Sequence, residues 1–159
     1  MTFSDSPVDP AAGSTFVHHE AIAGHDLTYG HVELFLFSAA TWNPHRVHYD
    51  QHYTQEVAGQ PRLLVQGPLQ AATMFQALRD GLAEGVTMQS LEYRHLAVLH
   101  AGEPARIAGR LSSVEDDTAT VEMWVESVRS GQRTTTGIAR LRRAASAPIL
   151  SGPHLEGDR

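Results

Sequence analysis

The spacing of apolar residues changes at Gly85, and this change constrains the fold more than any other feature of the sequence. Before it, residues 68–83 (PLQAATMFQALRDGLA) are apolar nearly all round at helical spacing, with Pro68 suited to the first turn of a helix. After it, apolar and polar residues alternate with period two in four segments, 86–99, 105–112, 118–128 and 133–142. We therefore expect a single α+β domain in which a meander of four antiparallel strands wraps a long central helix.

Shorter elements are predicted ahead of the central helix. Residues 15–22 favour a short edge strand. Residues 29–41 predict a largely buried helix capped by Thr28, although their Phe and Val residues also favour a strand. Residues 50–58 predict a short helix capped by Asp50. Residues 1–13 and 144–159 are rich in Pro, Ala, Gly, Ser and charge, which predicts a disordered leader and a disordered tail around a domain at 14–143.

Composition excludes several classes of function. The formal charge is −6, and no basic patch is interleaved with aromatic residues, which argues against a nucleic-acid partner. No apolar run is long enough to span a bilayer, and the N-terminus lacks the pattern of a signal peptide, so the cytoplasm is expected. Cysteine and lysine are absent, which excludes thiolate catalysis, disulfides and a lysine Schiff base.

One segment concentrates chemically capable side chains. Asn43, His45, His48 and Asp50 lie within eight residues, and a Gly-Pro step at 67–68 then opens the central helix. Histidine can transfer a proton near neutral pH, and asparagine can orient a water or a carbonyl. The N–H of Gly67, backed by the helix dipole, can face a carbonyl oxygen. This combination favours addition or elimination of water next to a thioester.

Other kinds of site are less well supported by the sequence. His45, His48 and Asp50 could hold a metal, but the spacing of a strong zinc pattern is missing, and we expect no metal. Ser38 lacks the surroundings of a nucleophile elbow. Seven of the other eight histidines are interpreted as surface or structural residues: His18, His19, His25, His52, His95, His100 and His154.

At these residues the chain resembles the hot-dog fold and, within it, the MaoC-like hydratase/dehydratase superfamily, which carries Asp-x-Asn-Pro-x-His-x-Asp and a Val-His-Gly step. A closer resemblance is to the subfamily of mesaconyl- and itaconyl-CoA hydratases and fungal mitochondrial 3-hydroxyacyl-thioester dehydratases, carried by FSAATWNPHRVHYD and GQPRLLVQGPL. Asn43 stands where the superfamily has Asp, and Gln66 stands where it has His.

The resemblance implies a single hot-dog domain that dimerises edge to edge, either with itself or with another hot-dog chain, with the site at the interface. It also implies reversible hydration of a 2-enoyl thioester of CoA or acyl carrier protein, without a cofactor. The implied roles are general base/acid for His48, positioning for Asn43, an auxiliary hydrogen bond for His45 and the oxyanion contact for Gly67. Support is expected from Tyr49, Asp50, Gln66 and Pro68, and weaker candidates for carrier phosphates or a substrate carboxylate are Arg46 and Arg94.

Two alternatives belong to other classes. A non-catalytic partner subunit of a heteromeric hydratase is favoured by Gln66 and by the missing aspartate. A thioesterase would need a carboxylate on the central helix, where only Asp80, near the helix end, is available.

Overall fold

A computed structural model describes residues 15–18 and 22–144 of the protein. Its elements, in order, are β1 (His25–Thr28), α1 (His31–Ala40), a 3₁₀ turn (Arg46–His48), α2 (Gln51–Glu56), α3 (Gly67–Asp80), β2 (Val86–His95), β3 (Pro104–Glu115), β4 (Thr118–Ser127) and β5 (Arg133–Arg143). The predicted α+β class is confirmed. The predicted leader and tail lie outside the described residues except for Ala144, whose N–H donates to the Gly85 carbonyl at 2.9 Å.

The strands form one antiparallel sheet in the order β1-β3-β4-β5-β2. All four segments with period two are strands, as predicted, but a simple meander is wrong, because β2 pairs with β5 rather than with β3. The connection after β2 explains this. Leu99 and Ala101 hydrogen-bond to the segment before α3, at Val65 and Leu63 respectively, which carries the chain across to the far side of the sheet.

Helix α3 packs one face against the sheet. Met74 and Leu78 are fully buried there, and Gly137 of β5 lacks the side chain that would otherwise crowd the Met74 methyl group. The opposite face is open, and Phe75 is 40% exposed. Within the described chain the sheet therefore covers one side of this helix and leaves the other side uncovered.

The N-terminal region differs from the sequence prediction. Phe16 and Val17 are buried, but Val17 forms only a single bridge, with Leu82, rather than part of an edge strand. The edge strand is β1, whose sequence HDLT shows no alternation of apolar residues. It forms because its backbone pairs with β3, so tertiary contact rather than local propensity decides its structure.

Helix α1 is present as predicted, but it is not largely buried. Leu34 and Ser38 are buried, whereas Val32, Phe35 and Leu36 are exposed. The helix is capped at Gly30 rather than at Thr28, which belongs to β1. Its apolar residues on the exposed side therefore have no cover within the described part of the chain.

Helix α2 begins as predicted. The Asp50 carboxylate accepts a hydrogen bond from the Tyr53 backbone N–H at 2.9 Å, which satisfies one of the free donors of the first turn. The helix is short, ending at Glu56.

Candidate functional site

The loop after α1 has an unusual backbone. Trp42 has a φ of 51°, which is uncommon for a bulky residue, and its side chain is 92% exposed. The Asn43 N–H then bonds the Ser38 carbonyl at 2.9 Å, and the Asn43 side-chain oxygen accepts from the His45 N–H at 3.2 Å. Because its oxygen holds this turn, Asn43 has its amide NH₂ group available as a donor.

A cavity of about 320 Å³ opens beside this loop. The Tyr49 hydroxyl donates to the Pro44 carbonyl at 2.8 Å, which closes the loop around the cavity. The cavity is lined by Phe35, Ser38, Ala39, Trp42, Asn43, Pro44 and Tyr49. Most of this lining is apolar, with the Asn43 amide among the few polar groups, which suits a ligand that is largely hydrocarbon.

His48 is held by the backbone of a distant segment. Its Nδ1 lies 2.8 Å from the Leu64 carbonyl oxygen, which can only accept, so Nδ1 carries the proton. In the neutral ring Nε2 is then free to accept a proton. Burial lowers the pKa of His48 from 6.5, and nearby His45 lowers it further, although the bond to Leu64 opposes both effects. His48 is thus a neutral base at neutral pH.

His45 lies next to His48, with ring centroids 5.6 Å apart. Asp50, in contrast, is turned to other partners. Its carboxylate bonds the Arg46 guanidinium at 2.7 Å and caps α2, and the Tyr53 N–H together with Arg46 lowers its pKa. Asp50 therefore stabilises the loop and does not join the two histidines.

No group of three or more His, Asp or Glu side chains within residues 15–18 and 22–144 is arranged to hold a metal ion. Arg46 is committed to Asp50 and lies over the Tyr53 ring, 4.3 Å from its centroid, whereas Arg94 is exposed on β2.

In the part of the chain that the structure describes, no helix is long and apolar enough to cross a membrane.

Gln66 points away from the loop and into α1. It is buried, and its Nε2 donates to the Leu34 carbonyl at 2.8 Å and to the Ser38 hydroxyl at 2.9 Å. Ser38 is thereby fixed as a structural contact rather than a nucleophile. Gln66 clamps α1 to the start of α3.

Gly67 is the first residue of α3 and Pro68 follows in the first turn, as the sequence predicts. At this position the backbone N–H has no carbonyl partner within the helix. A Cβ on Gly67 would lie 3.1 Å from Cγ and 3.2 Å from Nδ1 of His95. The histidine at the end of β2, interpreted from the sequence as a surface or structural residue, thus packs directly against the candidate oxyanion donor.

Residues 2–101 match the sequence model of a family described as hydroxyacyl-thioester dehydratase type 2. The chain belongs to this family.

Two curated relatives agree with it. Mesaconyl-C(4)-CoA hydratase of Chloroflexus aurantiacus is 38% identical over 77 residues, 48% of this chain. The mitochondrial hydroxyacyl-thioester dehydratase type 2 of Saccharomyces cerevisiae is 25% identical over 88 residues, 55% of this chain. The chain spans only 27% and 31% of the lengths of these two relatives.

Solved structures show the same fold. The ChsH1-ChsH2 complex from Mycobacterium tuberculosis aligns with a TM-score of 0.68 and 15% identity, over 77% of this chain and 94% of that chain. The (R)-hydratase from A. caviae aligns with a TM-score of 0.66 and 19% identity, over 76% and 92%. The expected hot-dog fold is confirmed.

The contact between Gly67 and His95 predicts strong coupling between the two positions. Gly67→Ala should lower the free energy of unfolding by about 1 kcal/mol, because the new methyl group must displace the His95 ring, and this cost should largely disappear in a His95→Ala background. Urea unfolding of the wild type, both single variants and the double variant measures the coupling. Additive effects of the two substitutions would show that the ring does not restrict Gly67.

Proposed function

We propose that the protein catalyses reversible hydration of a 2-enoyl thioester, carried by CoA or acyl carrier protein, to the 3-hydroxyacyl thioester. The observation that carries the proposal is the bond from His48 Nδ1 to the Leu64 carbonyl, which leaves Nε2 as a base on a loop tied to the start of α3. Family membership and the two curated relatives, both described as hydratases or dehydratases of thioesters, support it.

Each step uses a group already described. The Gly67 N–H binds the thioester carbonyl oxygen and stabilises the negative charge that develops on it. His48 Nε2 takes a proton from water as the oxygen adds to C3, and it returns a proton to C2 to complete the addition. Asn43 orients the water or the acyl group with its amide N–H, and His45 provides an auxiliary hydrogen bond.

The supporting residues act through structure. Tyr49 and Asp50 hold the loop that carries the histidines, through Pro44 and through Arg46 and α2 respectively. Gln66 fixes α1, and Pro68 preorganises the first turn of α3. The cavity beside Asn43 would take the apolar acyl chain.

Replacing His48 should slow turnover strongly. The assay is hydration of crotonyl-CoA, followed as loss of the enoyl-thioester absorbance. His48→Ala should be slower than the wild type by about 10²–10⁴-fold, because the variant lacks the Nε2 atom that takes the proton from water. Mesaconyl- and itaconyl-CoA extend the assay to branched acids.

His52→Ala is the matched control, because His52 is an exposed histidine on α2 with no place in the proposed mechanism. A wild type that turns over while His48→Ala is unimpaired would remove His48 from the mechanism.

The pH dependence has a defined sign. A base with a lowered pKa stays neutral to lower pH, so kcat/KM should remain above half of its maximum at pH 6.5 and fall only below it. A profile of kcat/KM from pH 5 to 8 measures the midpoint of this acid limb. A midpoint clearly above 6.5 would contradict the assignment of His48 as the base.

We further propose that the protein dimerises through β2. This strand is the long edge of the sheet, and Tyr93, Leu96 and Val98, on it or just beyond it, are exposed. The other edge, β1, has four residues and carries the ion pair of Asp26 with Arg106, which suits an edge facing water.

The predicted cytoplasmic location stays a prediction, since the yeast relative is described as mitochondrial.

A second candidate is a non-catalytic subunit that pairs with another hot-dog chain. It is favoured by Gln66, whose amide is committed to α1, and by the exposed apolar residues of α1. A thioesterase has less support, because Asp80 is exposed, bonds Gln76 and Arg79, and lies roughly 20 Å along α3 from Gly67.

Light scattering of the purified protein should give twice the chain mass of 17.4 kDa. Tyr93→Glu/Leu96→Glu should convert the dimer to a monomer, because it places charge on apolar surface next to the paired edge, whereas Asp26→Asn on the opposite edge should not. A monomeric wild type without turnover, which gains activity with a co-expressed second hot-dog chain, would replace the homodimer with the partner-subunit function.

A further inference from the structure

His95 is placed at the start of α3 by the sheet. It is the last residue of β2, and its ring occupies the space beside Gly67 that a side chain at 67 would fill. It remains exposed, so a ligand can reach the part of the ring that does not face Gly67. A glycine at the first helical position is therefore needed for close packing with an imidazole rather than for backbone flexibility.

A buried network fixes the orientation of this ring. His95 Nδ1 lies 3.2 Å from the Thr135 hydroxyl oxygen, and that hydroxyl donates to Gln70 Oε1 at 3.0 Å. Thr134 donates to the same oxygen at 2.6 Å. Gln70 and both threonines are fully or almost fully buried, so the network is held rigidly by α3 and β5.

The network also determines which nitrogen of His95 carries the proton. A carbonyl oxygen such as Gln70 Oε1 can only accept, so the single hydroxyl proton of Thr135 is directed to it. The Thr135 oxygen must then accept from His95, which places the proton on Nδ1. In the neutral ring Nε2 is left as an acceptor, as it is in His48.

Gln66 strengthens the case for His95. The side chain directly before Gly67 is buried and points into α1, where its Nε2 donates to Leu34 and Ser38. His95 is the imidazole that contacts Gly67 instead, and it reaches this position from a strand 28 residues further along the chain.

We propose that His95 is a second catalytic histidine of this site, whose Nε2 accepts a hydrogen bond from the reacting water during hydration and from the 3-hydroxyl group during dehydration. The inference rests on the proposed function. Near the thioester carbonyl, the reacting part of the substrate carries only this one kind of donor, water or the hydroxyl that it becomes. The free Nε2 of a ring that packs against Gly67 can therefore orient the oxygen that His48 activates, without itself gaining or losing a proton.

Two amide substitutions separate this role from a structural one. His95→Asn keeps a donor at the position of Nδ1, and so the bond to Thr135, but it has no atom at Nε2. His95→Gln can place its amide oxygen near Nε2. In crotonyl-CoA hydration, His95→Asn should lose about 10-fold or more in kcat with a small change in KM, and His95→Gln should lose less.

His25→Asn is the matched control, because His25 lies on β1 at the opposite edge of the sheet. Free imidazole added to His95→Ala should restore part of the lost rate, which a purely structural role would not allow. Wild-type kcat in a folded His95→Asn variant, judged by an unchanged Tm, would overturn the inference while leaving the proposed function intact.

A second measurement tests His95 even if the wild-type protein shows no turnover. In ¹⁵N spectra of histidine-labelled protein, the His95 ring should show a protonated Nδ1 and an unprotonated Nε2, and crotonyl-CoA should shift the Nε2 signal. Such a shift without turnover would support His95 as a ligand contact and reject the hydratase function. Absence of both shift and turnover would overturn both proposals.

Discussion

Leu64 holds the candidate site together through its two backbone groups. Its N–H donates to the Val47 carbonyl at 2.9 Å, and its own carbonyl accepts from His48 Nδ1 at 2.8 Å. The residues on either side of it, Leu63 and Val65, pair with the connection after β2, and α3 begins three residues after Leu64. One short extended segment thus sets the position of the proposed base His48, the start of the central helix and the crossing of the chain to β3.

The start of α3 is fixed from two sides by glutamines one helical turn apart. Gln66 bonds α1, and Gln70 bonds the threonines of β5. Both side chains are buried and hydrogen-bonded through one end of the amide, Gln66 as a donor and Gln70 as an acceptor, so each restricts the position of the helix. In the proposed mechanism this rigidity favours the oxyanion contact, because a donor that is already held in place needs no reorganisation during the reaction.

The sequence predicted features that depend on local rules, such as the Asp50 cap and the alternating strand β4. It did not predict β1, a polar segment ordered by pairing, or the open face of α1, since apolar density does not tell which side another element covers. His95 was missed because its partner Gly67 is 28 residues away in the chain. The available signal was a glycine at a helix start, which can indicate close approach of another group.

The strained backbone at Trp42 gives the protein an internal optical reporter. The chain has two tryptophans, and they lie in contrasting surroundings. Trp124 is covered by the Arg133 guanidinium, 3.9 Å above its ring, whereas Trp42 projects into water at the mouth of the cavity beside Asn43. The long-wavelength part of the indole fluorescence therefore comes mainly from Trp42. A molecule that enters the cavity shifts the wavelength of this emission without any added label.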